Sequence, residues 1–549
     1  MENEENEKVG GSVDVEEFFP RDATAEEIQT LIHEIEPIPV TAWLLAFTGA
    51  STQLARFGVT VAWQNYLQNP RGNPLLPGAL GLGQAKATII QNAFLFFQYL
   101  TPLPLALLSD AWIGRYKTML LCLGFLVTGY IVLVATSIPS ALEHGAGIAG
   151  LAVTMVLVGL GHGGLSAVMY PFIADQIPNT KPQVKRNKAG ELIVTDRKLS
   201  VQYVFNGYYW MANIASLSSI PTTLMEKHID FWAAYLLPTC FLTLSVIPVL
   251  LWNRKLVKLP PEGNVLPHAG QVIGIALRSR FRLSAAYPEY QESHHSHSVP
   301  WTASFVDEIR RGLKGCRVIT CFVVFWLCYN QTTNNIISQA GQMKQQGVDN
   351  DTIQALNPIA CIILAPLIQG VIFPFLRRRQ IPFGPIMRMT FGFLFIGAAI
   401  AYAAGLQKLI YSRGPCYTRP LDCPAATHES SGIREPNNVS MWLQTPLQFL
   451  LAVGEILGLV ALNEYTYSEA PPNIKTLVQA LQDVAAEIAA ALGIALGPVS
   501  KDPYLVVMYA SLAGVSALSA VAFWAIFRKC DADFENQDAE AARQEESSD

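Results

Sequence analysis

The sequence predicts an all-α membrane protein of about twelve transmembrane helices arranged as two six-helix bundles. Three observations predict it. The 549-residue chain is 51% hydrophobic and 15% charged, with a positive mean hydropathy, which is more apolar surface than a soluble chain of this length buries. Its apolar runs repeatedly reach the ~20 residues needed to cross a hydrocarbon core. These runs also fall into two groups, divided by a polar stretch over 253–317.

The elements follow in chain order. Residues 1–39 form an acidic tail (MENEENEK, then DVEEF), read as solvated and unstructured. The tail has no short apolar core followed by a small-residue cleavage site, so the first span itself is expected to direct insertion. The N-terminal bundle, 40–252, carries spans at 40–66, 85–108, 118–139, 148–174, 203–223 and 231–252. Residues 253–317, rich in Arg, His, Ser and Pro, read as a cytoplasmic linker and not a domain. The C-terminal bundle, 318–527, carries spans at 318–340, 357–376, 384–406, 441–468, 477–499 and 504–527, and 528–549 is a second acidic cytoplasmic tail.

Charge orients the spans. With the N-terminus inside, Arg115 and Lys117, the cations of 181–198, the linker and Arg377, Arg378 and Arg379 all share one face. The opposite loops carry few cations, as the positive-inside rule requires. Both termini are then cytoplasmic, in the plasma membrane by expectation. Cys416 and Cys423 lie in an external, Pro-rich loop, where two cysteines are too few for a zinc site and a disulfide is expected. Six of the other seven cysteines sit in or beside apolar runs as small buried hydrophobes.

Several function classes are excluded at this level. No basic patch interleaved with aromatics points to nucleic acid. No nucleophile and base or metal set stands among the spans, so neither an enzyme nor a cofactor is expected. The histidines of HHSHS (294–298) read as solvated linker residues, although a sensor that docks partners through such tails is an alternative. Because backbone in lipid must be helical, two six-helix groups on a long linker suggest a carrier built of repeats that rock against each other.

Four stretches go further: LSDAWIGRYKT, WLCYNQTTNNIISQAG, ALNPIA and NEYTYSEAPPNIKTLVQAL. They resemble the proton-coupled oligopeptide transporters of the major facilitator superfamily, and FVDEIRRGLKGC and EKHIDFWAAYLLP resemble its fungal branch. The resemblance implies uptake of di- or tripeptides by alternating access. The alternatives are a proton-independent facilitator or exporter of a peptide-derived metabolite, or a non-transporting peptide sensor. In the turn between the second and third spans, Asp110, Gly114, Arg115 and Lys117 are expected to form a latch, with the acid pairing a cation in one access state. A plain positive-inside turn is the alternative.

An acid inside a span costs ~2.5–3.5 kcal/mol and asks for a cavity or a partner. Glu464 is such an acid, and matched to the family's E-x-x-Y-S pattern it contacts the peptide's amino end. Asn213 and Asn357 match family positions lining the same cavity, with interhelical hydrogen bonding as the alternative. Asn330, Gln331, Asn334 and Asn335 crowd the seventh span, and are expected to line the cavity or gate.

The chain also departs from the family. Positions of the first-span E-x-x-E-R motif hold Gly49, Thr52, Gln53 and Leu54, and the fourth-span lysine position holds Ser166, after Gly161, His162, Gly163, Gly164 and Leu165. An acid of the seventh span is replaced by Asn330. Losing an acid and its basic partner together avoids stranding a buried charge. Arg56, one turn beyond Gln53, is the remaining candidate for the peptide carboxylate; a gap of three residues would instead make it the family arginine, and snorkelling is the plain alternative. The eleventh span adds Asp483 and Glu487 at i, i+4. With His162 they are the candidate replacements for proton coupling, against a structural pairing with a neighbouring helix.

Overall fold

The computed structural model describes residues 21–22, 31–72, 76–178, 183–186, 192–260, 265–280, 282–295, 298–315, 317–346, 349–379, 381, 383–420, 435–469 and 475–548. Among the described residues twelve helical spans are present, in two groups of six. Eight helices are long and apolar enough to cross a membrane by length and composition. The others are polar or interrupted, and the interruptions mark the inter-bundle space.

The first span, Val40–Thr60, continues as Trp63–Gln68. Its hydroxyls bond back to the helix, Ser51 to the Phe47 carbonyl at 2.9 Å and Thr52 to that of Gly49 at 2.7 Å, which satisfies polar side chains inside a span. The second runs as Gln84–Leu100 and Pro102–Leu108 and ends in a wide turn at Ser109–Ile113. Gly114 then takes φ +81°, a conformation that favours glycine, and the third span, Arg115–Thr136, departs. The seventh is the most broken: Arg317–Tyr329, a tight turn at Asn330–Thr333, then Asn335–Gly341.

Each bundle has its own core. Leu45, Trp63, Tyr66, Leu126, Tyr130, Phe172 and Tyr235 are buried in the first; Phe322, Phe325, Phe393, Leu447, Tyr509 and Phe523 in the second. Near the middle of the second bundle the ninth span, Pro385–Ser412, and the tenth, Thr445–Glu469, touch backbone to backbone. A β-carbon on Gly392 would lie 2.6 Å from the Gly458 Cα, so only glycine permits this approach.

The parts outside the spans depart from expectation. Arg21–Asp22 (β1), Ile32–Ile35 (β2), Gln183–Arg186 (β3) and Leu192–Asp196 (β4) form a sheet of order β1-β3-β4-β2, with β2 parallel to β4 in the register Ile32↔Ile193 to Ile35↔Asp196. The end of the first acidic tail is therefore a paired strand, because its IHEI segment has the apolar alternation that a half-buried strand needs. The stretch read as a linker contains helices Val265–Arg278, Pro288–His295 and Ala303–Gly315. Ala269, Val272, Trp301, Val306 and Ile309 build a small core there, with Ala106 of the second span. The apolar faces of Val265–Arg278 and Ala303–Gly315 were hidden from a composition-based reading by the polar residues on their outer faces. The twelfth span, Leu505–Ser548, likewise carries its helix on through the second acidic tail.

Candidate functional site

Between the bundles lies a cavity of about 300 Å³. One wall comes from the first, second and fifth spans, with Gln53, Arg56, Gln91, Gln98, Tyr209 and Asn213; the other comes from the seventh, eighth and tenth, with Tyr329, Asn357, Gln448 and Glu455. Its two poles carry opposite charge. Arg56 contributes the cation on the N-terminal bundle, with the Tyr99 hydroxyl beside it. Glu455 contributes the acid on the C-terminal bundle and accepts from Tyr329 Oη at 3.1 Å, with Asn357 and the Cys361 thiol beside it. The neighbouring Gly454 and Gly458 hold this stretch against the ninth and seventh spans, so the carboxyl is positioned by packing as well as by hydrogen bonds.

Of the residues expected to bind substrate, Arg56, Asn213 and Asn357 line the cavity. Asn213 also donates to the Tyr209 carbonyl at 2.8 Å. Asn330 and Asn334 do not line it among the described residues: both are buried. Asn334 Oδ1 accepts from the Asn335 amide at 2.5 Å, so it caps the second half of the broken seventh span. Within this stretch Asn334 serves the break in the helix, while Asn335 accepts from Gln84 and Thr88 of the other bundle. The side chain of Glu464 lies outside the described residues. Its backbone is about two and a half turns beyond Glu455 on the same helix, and among the described residues the acid lining the cavity is Glu455, which sequence reasoning missed. The signal was present, since Glu455 interrupts LLAVGEILGLV, an otherwise apolar run.

His162 is buried and pairs with Tyr130 Oη at 2.8 Å. Asp483 is half-buried opposite Tyr99, and Glu487 is half-buried one turn on. None of the three is among the described lining residues. At the turn between the second and third spans, the Asp110 side chain lies outside the described residues. Arg115 Nη1 contacts both oxygens of Asp175, at the end of the fourth span, at 2.7 Å each, and Lys117 is exposed. The described acid partner of Arg115 is thus Asp175, a residue of the same bundle. Cys416 is disulfide-bonded; Cys423 lies outside the described residues.

The described side-chain hydrogen bonds that join the bundles lie at the end of the cavity far from the termini. Asn65 and Asn350 bond each other at 3.0 and 2.8 Å, Thr223 meets Thr352 at 2.7 Å, and Gln84 and Thr88 both donate to Asn335 Oδ1 at 3.2 Å. The cavity is sealed on that face.

Two six-helix bundles around a shared, charged cavity closed at one end define a carrier of the major facilitator type. The family profile PTR2, POT family, matches residues 116–511, and the chain belongs to that family. "Peptide transporter PTR_A" of Candidozyma auris is 37% identical over 508 residues, covering 92% of this chain and 84% of that protein. "Peptide transporter imqD" of Aspergillus flavus is 49% identical over 281 residues, covering 51% of this chain and 68% of that protein. The solved structure of the POT family transporter PepTSo has the same fold, with a TM-score of 0.70 at 18% identity over 90% of this chain and 99% of that one.

Proposed function

We propose that this protein carries di- or tripeptides across the plasma membrane by alternating access, with both termini and the linker in the cytoplasm. The observation that carries the reading is the pairing of Arg56 with Glu455 across one cavity. A short peptide has a cation at one end and a carboxylate at the other, and charge-assisted hydrogen bonds at both ends orient it. The amides of Gln53, Asn213, Asn357 and Gln448 supply donors and acceptors for the peptide bond between them. The similarity to proteins named peptide transporters supports the same cargo. The distribution of loop cations supports the orientation.

Counterflow of labelled dialanine in proteoliposomes tests it. The wild-type chain exchanges the dipeptide, whereas Glu455→Gln raises its half-saturating concentration by roughly 10–100-fold, the effect of losing a hydrogen bond to a charged group. Competition by N-acetyl-dialanine, which has no cationic end, changes little in the variant. Failure of the wild-type protein to exchange any of a panel of dipeptides rejects peptides as the cargo.

Proton coupling enters as a separate proposal. The usual first-span carboxylates are replaced by Gly49 and Thr52, and Asp483 with Glu487 are the acids we propose in their place, with Asp483 nearest the Tyr99–Arg56 contact. Uptake that keeps its full pH dependence in Asp483→Asn/Glu487→Gln overturns this role.

A further inference from the structure

The seal at the far end of the cavity contains more acid than its bases balance. Glu226 stands near the end of Ser219–His228, the helix that extends the fifth span, and Asp349 and Asp351 stand in the connection leading into the eighth span at Thr352. All three are buried, Glu226 and Asp351 being 3% and 0% exposed. One cation serves them among the described residues: Lys227, which is paired with Asp349.

The remaining two carboxyls come together across the bundle boundary, beside the Thr223–Thr352 hydrogen bond at 2.7 Å. Glu226 Oε1 accepts from Asn65 Nδ2 at 3.1 Å, but Oε2 meets no donor. The backbone amides of residues 351 and 352 lie near the Asp351 carboxyl without forming a well-directed hydrogen bond to either oxygen. Two carboxylates only accept, so an ionised pair here would be two buried like charges with no hydrogen bond between them. A single proton converts the contact into an O–H···O⁻ hydrogen bond and removes one of the charges.

We infer that Glu226 and Asp351 form a proton-binding site that locks the far end of the cavity, one shared proton holding the two bundles together. The surrounding groups fit this assignment. From the first span come Asn65 and Tyr66, and from the sixth come Asp230, which caps its own helix through the Phe231 amide at 2.7 Å, and buried Tyr235. On its own helix Glu226 is followed by the paired Lys227 and exposed His228. Among the described residues nothing in this shell supplies a free cation to neutralise the pair, and the neighbouring carboxylate of Asp349 adds repulsion. Burial and these neighbours raise the affinity of both carboxyls for protons above the ordinary carboxyl range.

The sign of the effect follows. Opening the seal lets water in and returns both groups toward ordinary acidity, so the sealed form binds the extra proton. The stabilisation is fully present below the ordinary carboxyl pKa, and is lost as pH rises through the raised values of the sealed state.

The site differs from the cargo cavity and from Asp483 and Glu487, and its test needs no substrate. Hydrogen exchange of the full-length protein in lipid nanodiscs, corrected for the intrinsic pH dependence of amide exchange, reads the opening of residues 219–228 and 349–356 between pH 5 and 8. In the wild-type protein the opening equilibrium rises with pH by up to roughly tenfold per unit, the limit for one proton. Glu226→Gln, whose amide replaces the shared proton as donor, stays protected with no such slope. Asp351→Asn does the same and serves if the first variant fails to fold. A wild-type protein without a slope, a slope unchanged in both variants, or a slope abolished by Asp349→Asn alone overturns the assignment.

Discussion

The cavity and its seal are both made of charged and polar groups from the two bundles, yet they are built on opposite plans. In the cavity, Arg56 and Glu455 stand on opposite walls of about 300 Å³ of space, each held by its own neighbours, Tyr99 and Tyr329. At the seal, Asn65, Glu226, Asn350 and Asp351 are packed against one another and almost wholly buried. Separated charges with room between them recognise a molecule carrying both signs. Close-packed groups recognise only each other, or something as small as a proton. A carrier needs both, because the ligand site must survive the motion and the seal must come apart.

The largest effect that tests this contrast is expected at Arg56. If it waits for the peptide carboxylate, Arg56→Gln weakens binding of dipeptides by roughly 10–100-fold, as for other lost charge-assisted hydrogen bonds. Dipeptide amides, which lack that carboxylate, bind the wild-type and variant proteins alike in a thermal-shift titration. An equal loss for both ligands makes Arg56 a packing residue and breaks the contrast from the cavity side.

From the side of the seal, Asn65 is the sharper probe, since its amide contacts both Glu226 and Asn350. Asn65→Ala leaves buried polar groups without partners, at a cost of about 1–2 kcal/mol. The opening of residues 349–356 read by hydrogen exchange then increases by roughly 5–30-fold at every pH. Its pH slope persists, because the carboxyl pair is still present. Loss of the slope in this variant makes Asn65, and not the shared proton, the element that responds to pH.

The two regions were unequally legible in the sequence. The bundle architecture was readable because lipid imposes one rule, long apolar helices, on every span. Arg56, Asn213 and Asn357 were readable as polar residues in apolar surroundings. Glu455 was passed over, although like Glu464 it is an acid on the tenth span. Singling it out requires knowing which level of that span faces the partner bundle, a tertiary fact that Gly392, Gly454 and Gly458 set through close packing. Asn334 shows the converse: a broken helix consumes polar side chains as caps, and in sequence such a cap looks like a lining. Of the seal only Asn335 was legible; Asn65, Glu226 and Asp351 come from distant loop ends that acquire meaning only when the bundles close. The linker helices and the β2 strand were overlooked because composition averages out the short apolar faces that form their cores.

The smallest expected effects lie at the end of the molecule that carries the termini, and they separate a latch from a mere cluster of cations. Arg115 contacts both Asp175 oxygens at 2.7 Å, and Asp175 is nearly buried, its side chain 8% exposed. Lys117, two residues on, is exposed. Exposed single charges contribute within about 0.5 kcal/mol, so Lys117→Ala leaves the melting temperature and the counterflow rate close to wild type. Arg115→Ala strands Asp175 against the third and fourth spans and lowers the melting temperature measurably. Because Asp175 belongs to the same bundle, that loss is one of bundle stability. A latch that acts between access states adds a change in the ratio of inward to outward flux. Arg115→Lys, which keeps the charge but not the two-oxygen contact, divides these readings: a recovered flux ratio with incomplete thermal recovery assigns Arg115 a gating role by charge, and recovery of neither assigns it to holding the fourth span in place.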